Sequence, residues 1–301
     1  VSAPAARSAN RRHDREYFYK YLSPSAIKAV LRTKSLRWSS PQIFNDPFDV
    51  PRKLTFDCTA RELQEALAGE LARLIETHAA TPSEAPPNLA YLLAVANGKS
   101  EEQRARVVHD LRTEALKAIP EPAVGFQGFR DHWDQRIPTM RVLCLSESPH
   151  SAVMWAHYAE SHRGAVLEMK CADAVDSPLL AARSVRYQND PPRLPPKNDW
   201  VQSLIGHKPI DLGEFFTDYQ YIKSLQWQYE TEWRVISYAR EGETGLYGDY
   251  SFSREELSRV ILGSECTPTD EREIGDLVAA QYPDATVVKA RINQDLRRIE
   301  F

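Results

Sequence analysis

The spacing of apolar positions gives the chain strand-like ends and a helical middle. In "EYFYKYL" (16–22) strict alternation sets Tyr17, Tyr19 and Tyr21 on one side and Phe18, Lys20 and Leu22 on the other, the period of a strand. Ser23 then caps a predicted helix with Pro24 in its first turn and Ile27, Val30 and Leu31 at helical spacing. "LRWSS" (36–40) predicts a second short strand, and "PQIFNDPFDVP" a loop built of turn formers. The pattern changes from about Thr59. "TARELQEALAGELARLIETHAA" and "SEEQRARVVHDLRTEALKAI" are amphipathic helices separated by the proline-rich "TPSEAPPN". Residues 59–137 therefore read as a helical insertion or lid.

Strand spacing returns at "MRVLCLSES" (140–148), followed by a helix over "SPHSAVMWAHYAESHRG" with Ser148 as its cap and Gly164 as its stop. "AVLEMK", "ARSVRYQ", "LSRVILG" and "ATVVKARI" predict further strands, with a helix over "TDEREIGDLVAAQY". A proline-rich loop (190–197) leads into a stretch of mixed pattern through 222. The longest aromatic run, "KSLQWQYETEWRVISYA" (223–239), reads as one strand. Leu225, Trp227, Tyr229, Thr231, Trp233 and Val235 fall on one face and Gln226, Gln228, Glu230, Glu232 and Arg234 on the other. Strands at both ends around inserted helices make the fold class α+β. A loose tail over 1–15 precedes a single domain over 16–301.

Composition narrows the classes. A chain of 301 residues with 42% hydrophobic content can bury a substantial core. Its 38 Lys and Arg against 42 Asp and Glu, a formal net charge of -4, argue against a general nucleic-acid coat protein but leave room for a local basic groove. No apolar run approaches the roughly 20 residues of a membrane-spanning helix, and no apolar signal-peptide core follows the small, polar and then basic start. The four cysteines, Cys58, Cys144, Cys171 and Cys266, form no Cys-x-x-Cys pair. Zinc ribbons and disulfide frameworks lose support, and a cytoplasmic location is the expectation.

Three stretches can carry chemistry. The Glu-x-Glu-x-Arg run sets two carboxylates about 7 Å apart on one strand face, where their repulsion calls for compensation. A cross-strand charge ladder is the plain account; a catalytic pair braced by the aromatic face behind it is the sharper one. In "FNDPFDVP", Asn45 and Asp46 serve a tight turn with Phe44 and Phe48 tucked inward, or else hold a ring or ribose. In "MWAHYAESHRG", Trp155 and Tyr158 pack a core or wall a flat ligand. His157 and His162, five apart, lack the spacing of two metal ligands on one helix face, and no metal site is expected. Ser146 lacks a Gly-x-Ser-x-Gly elbow, and no glycine-rich phosphate loop occurs.

Taken in order, "YKYLSPSAIKAVLRTKSLRWSSPQIFNDPFD", "RVLCLSESPHSAVMWAHYAESHRGAVLEM", "VRYQ", "KSLQWQYETEWRVI" and "VILG" resemble a bacterial domain-of-unknown-function family whose members occur among abortive-infection and phage-defence genes. More distantly, an aromatic strand, a capped helix, a short serine-bearing strand and a late strand with Glu-x-Glu are similar to the ADP-ribosyltransferase superfamily, nearest to its DNA-modifying toxin transferases. That resemblance implies a pair of small packed β-sheets with a cleft for NAD as substrate. It implies Glu232 as the carboxylate that faces the ribose as it loses nicotinamide, Glu230 as the group that orients or deprotonates the acceptor, and Lys20 where the superfamily has an Arg or His. Tyr19, Tyr21, Ser39, Ser40, Asn45, Asp46, Phe48, Trp155, His157, Tyr158 and Arg234 are the remaining cleft candidates. The first strand departs in carrying Lys20, and the serine strand lacks a full Ser-Thr-Ser. The implied partners are a nucleic-acid or protein target and a cognate antitoxin or immunity protein. Two other expectations stand beside this one: a non-catalytic nucleotide-sensing or partner-binding protein on the same fold, and a metal-dependent nuclease using Glu230, Glu232 and Asp46.

Overall fold

A computed structural model describes residues 7–118, 122–190 and 193–301. Residues 1–6 of the expected tail, Ile119 at the end of one predicted helix and two residues of the proline-rich loop lie outside the described residues. The chain divides into two compact units, one formed by 1–50, 137–190 and 221–301, the other by 51–136 and 191–220.

The first unit opens with β1 (Tyr17–Leu22), α1 (Pro24–Thr33) and β2 (Ser35–Ser39). Ser23 accepts a hydrogen bond from the Ala26 N–H, Pro24 occupies the first turn, and Lys34 ends the helix in the left-handed region at φ 54°. The second unit supplies α2 (Ala60–Glu76), α3 (Pro87–Asn97), α4 (Glu101–Ala118) and most of α5 (Pro122–Thr139). Back in the first unit come β3 (Met140–Ser146), α6 (Ala152–Tyr158), β4 (Ala165–Lys170), β5 (Arg183–Ser184) and β6 (Arg186–Gln188). The chain then adds α7 (Lys197–Leu204) and α8 (Leu212–Tyr219) to the second unit. It closes with β7 (Ile222–Ser224), β8 (Glu232–Tyr238), β9 (Tyr247–Ser251), β10 (Leu257–Leu262), α9 (Pro268–Gln281), β11 (Thr286–Lys289), β12 (Arg291–Asn293) and β13 (Arg298–Glu300).

The fold is mixed, in keeping with α+β. Nine strands form one sheet in the order β11-β10-β4-β1-β3-β2-β9, with β8 on β3 and β5 on β8; β6 and β7 form a separate parallel pair, and β12 and β13 an antiparallel one. The expected pair of small sheets is thus joined in one network that forks at β3. All seven residues of β3 pair with β8, from Met140↔Tyr238 to Ser146↔Glu232. Its other edge is shared: β1 meets it at Tyr19↔Ser146 and β2 at Ser39↔Val142, so Cys144 lies in the gap between them.

Alternation along the strands sorts side chains into two cores. Phe18, Leu143, Leu145, Leu167, Val235 and Val260 face α1 and α9, whose Ile27, Leu31, Ile274 and Val278 complete that core. Tyr21, Val166 and Ile261 face the other way and pack on Trp155 of α6. Several local expectations are corrected. The cap of α6 is Ser151, whose hydroxyl accepts from the Met154 N–H, rather than Ser148. The strand expected over 223–239 is broken: a 3-10 helix spans Leu225–Glu230 and Thr231 takes a left-handed turn at φ 43° before β8 begins. The strand expected over 285–292 is split into β11 and β12. β9, which the sequence reading passed over, pairs along the whole of β2.

Residues 7–15 lie along the first unit. The Arg11 guanidinium bonds Asp173 and the Cys171 carbonyl, and the Arg12 N–H donates to the Leu180 carbonyl at 2.7 Å. In the second unit, Leu71, Ile75, Leu89, Leu93, Val108 and Ile205 form a separate core. Thr59 and Glu62 close a capping box at the start of α2. The four cysteines are unpaired.

Candidate functional site

The fork in the sheet opens a cavity of about 320 Å³. Its floor is the Val142–Cys144–Ser146 face of β3. In an antiparallel pair, directly opposite residues share a face, so Cys144↔Arg234 and Ser146↔Glu232 bring both β8 side chains to that side, while Trp233 and Val235 turn into the core. Tyr19, Lys20 and Tyr21 of β1, Ser39 of β2, Asn45 and Asp49 of the following loop, and Tyr158 of α6 complete much of the lining.

Five ionic side chains meet at one wall. Glu230 comes from the end of the 3-10 helix rather than from a strand, yet lies close to Glu232 because Lys223 sits between them. The Lys223 ammonium is 2.5 Å from Glu230 Oε2, 3.0 Å from Glu232 Oε2 and 3.3 Å from Asp49 Oδ2. The Arg234 guanidinium donates to both Asp49 oxygens at 2.7 Å and to Glu232 at 2.8 and 2.9 Å. All five are at most 5% exposed. The second oxygen of Glu230 accepts from the Tyr158 hydroxyl at 2.5 Å, and that hydroxyl accepts from Asn45 Nδ2 at 3.3 Å. Tyr187 of β6 accepts the Glu232 N–H at 2.8 Å, fixing the first residue of β8.

This environment separates the two glutamates. Burial opposes the charge on Glu232, but Arg234 and then Lys223 outweigh it and hold its carboxyl far below the ordinary range. Burial dominates at Glu230 and, with Glu232 beside it, raises its pKa against the pull of Lys223. Burial and then Glu230 push the Tyr158 phenol upward, so its proton stays in place to be donated.

The cavity brings together Tyr19, Lys20, Tyr21, Ser39, Asn45, Tyr158, Glu230 and Glu232. The Lys20 amine donates to the Cys144 carbonyl at 2.8 Å, the carbonyl in the gap between β1 and β2. The Tyr21 hydroxyl donates to the Ser148 carbonyl. Other candidates have different places. Ser40 is buried, with its hydroxyl on the Ile137 carbonyl. Asp46 is buried and caps the turn through the Phe48 N–H, while Phe48, expected to tuck inward or line the cleft, is 74% exposed. Trp155 is a core residue whose indole N–H donates to the Pro149 carbonyl. His157 is on the exposed side of α6, bonded to the Tyr229 hydroxyl. Arg234 is fully buried between Asp49 and Glu232, with the role of ion partner. Asp49 and Lys223 are the residues that sequence reasoning missed. Both sit within the quoted stretches "FNDPFD" and "KSLQWQYETEWRVI", but the unbroken strand assigned to the second kept Lys223 far from the acids. Among the described residues no group of His, Cys, Asp and Glu could hold a metal ion, and no helix is long and apolar enough to cross a membrane.

The fold and site define an α+β protein with a forked sheet and a buried acid–cation cluster against a small cavity. Residues 154–235, from α6 into β8, match the family described as Protein of unknown function (DUF2971), and a domain of that family is found there. That stretch contains Tyr158, Lys223, Glu230, Glu232 and Arg234, the cluster without Asp49. No curated protein and no solved structure matches the chain.

Proposed function

We propose that this chain is an NAD-dependent ADP-ribosyltransferase of a bacterial defence or toxin type, acting on a nucleic-acid or protein target. One observation carries the reading. The aromatic-basic-aromatic strand, the serine strand and the Glu-x-Glu pair, three motifs far apart in sequence, line the same cavity. At about 320 Å³ the cavity is at the small end of ligand pockets, which run to about 1,000 Å³. It suits one ring and one sugar, the nicotinamide–ribose half, better than a whole dinucleotide.

In this reading the N-glycosidic bond breaks and nicotinamide leaves with the bonding pair. The ribose carbon gains positive character, which a carboxylate at the cavity wall stabilises more in the transition state than before it. An acceptor oxygen or nitrogen then bonds to that carbon and gives its proton to a carboxylate. Glu230, with the higher affinity for a proton, suits the base role; Glu232, held ionised by Arg234, suits the electrostatic one.

The test is NAD consumption by the wild type, Glu230→Gln and Glu232→Gln. Nicotinamide release by the wild type that falls at least about a hundredfold in both variants is the expected result; none from any of them removes the reading. A second reading, nucleotide sensing or partner binding without turnover, draws on one observation: Glu230 is already bonded to Lys223 and Tyr158, and Glu232 to Lys223 and Arg234. Thermal stabilisation by NAD or ADP-ribose without nicotinamide release favours it. The nuclease expectation gains nothing from the donor set, since Lys223 and Arg234 occupy the space between the carboxylates.

A further inference from the structure

The cluster holds three carboxylates and two cations, and the cations are arranged differently. Arg234 spans Asp49 and Glu232. Lys223 touches all three acids. Its ammonium hydrogen-bonds Glu230 at 2.5 Å and Glu232 at 3.0 Å and forms an ion pair with Asp49 at 3.3 Å. Its remaining side faces the Trp227 ring, 5.0 Å away. Its two hydrogen bonds and its ion pair with Asp49 go to the acids of the cluster, so its work is done on them.

The local chain explains how it arrives there. Lys223 is fixed in β7 by pairing with Tyr187 of β6. The 3-10 helix that follows turns the chain back, so that residue 230 meets residue 223 and Thr231 reverses direction into β8.

We propose that Lys223 is a positioning residue of the site, joining Glu230, Glu232 and Asp49 into one unit and keeping Glu230 ionised at the cavity wall. The groups facing Glu230 are Lys223 from β7, Tyr158 from α6, Glu232 from β8, Asp49 beyond the ammonium, and Tyr187 and Tyr229. Among these described residues, Lys223 is the cation bonded to it. Without that charge, three buried carboxylates share one guanidinium, and one of them must take up a proton. Asp49 and Glu232 keep Arg234, so the proton goes to Glu230.

Infrared spectroscopy of Lys223→Met at neutral pH tests this without reference to any activity. The variant is expected to gain a protonated-carboxyl C=O band relative to the wild type, and the Lys223→Met/Glu230→Gln double variant is expected to lack it. No gain, or a band that persists in the double variant, overturns the proposal. Should Lys223→Met fail to fold, recovery of folding in the double variant supports the pairing and no recovery overturns it. A kinetic arm rests on the transferase reading: kcat for NAD cleavage falls about a hundredfold with KM near the wild-type value, and the acid limb of the kcat profile moves to higher pH. An active wild type with an unmoved limb in Lys223→Met sinks the inference alone. An inactive wild type sinks the transferase reading and leaves the infrared result to decide this one.

Discussion

At the scale of single residues, the site depends on charges that are paired before any ligand arrives. Arg234 is fully buried and bonds two acids. Truncating one partner of such a pair leaves uncompensated buried charge, so Arg234→Met is expected to lose about 3–5 kcal/mol of stability, read from the shift in the urea unfolding midpoint. The loss depends on pH with a definite sign. The native pKa of Glu232 is depressed, so its contribution is fully present above the unfolded value of about 4.3 and fades as pH falls toward the much lower native value. The gap between wild type and Arg234→Met therefore narrows in strong acid. The candidate site is legible in the sequence as motifs: Lys20, Ser39, Tyr158, Glu230 and Glu232 stand out by pattern and resemblance, and they line one cavity. Their mutual wiring was not legible. A period-two reading sees which face a side chain is on, but not a turn such as Thr231 that brings residues 223 and 230 together.

At the scale of elements, caps and apolar spacing predict β1, α1, β3 and β10 close to where the structure has them, although the strands are buried on both faces rather than on alternate residues. They failed at β9, whose "YGDYS" has little apolar content and is held by pairing with β2. Tertiary contact outweighed local propensity there. Two elements carry predictions. Gly164, placed by its sequence as a helix stop, lies beyond the end of α6, and a Cβ added there would be 2.0 Å from the Leu22 carbonyl oxygen. That neighbour is backbone and cannot rotate away, so Gly164→Ala is expected to cost about 3 kcal/mol or more, measured by thermal or urea unfolding. The segment 7–15 is held through Arg11 and Asp173. Hydrogen bonds from Arg11 and the Ser8 N–H hold the Asp173 carboxyl down at about 2. A depressed carboxylate stabilises its contact above the unfolded pKa of about 3.9 and loses it as pH falls through the native one. Amide exchange in residues 8–15 is expected to lose protection relative to β1 between those two values, and protection that follows β1 throughout would exclude Asp173 as the anchor.

At the scale of the whole molecule, each unit has its own apolar core. Leu93, fully buried in the second, tests that core. Leu93→Ala removes buried methyls and is expected to cost the second unit about 2–5 kcal/mol. Calorimetry is expected to resolve that unit's melting at lower temperature, with the transition of the forked sheet kept in place. A single transition shifted as a whole would mean that the two cores melt as one. The order of the strands also has a consequence for biosynthesis. β1 pairs along its length with β4, and β4 in turn with β10. β1, with its tyrosines and phenylalanine, thus waits for β4, far along the polypeptide, to emerge before its full-length partner exists. Nascent chains halted before residue 165 would leave that aromatic ribbon without its full-length partner β4, a natural substrate for the chaperones that attend translation.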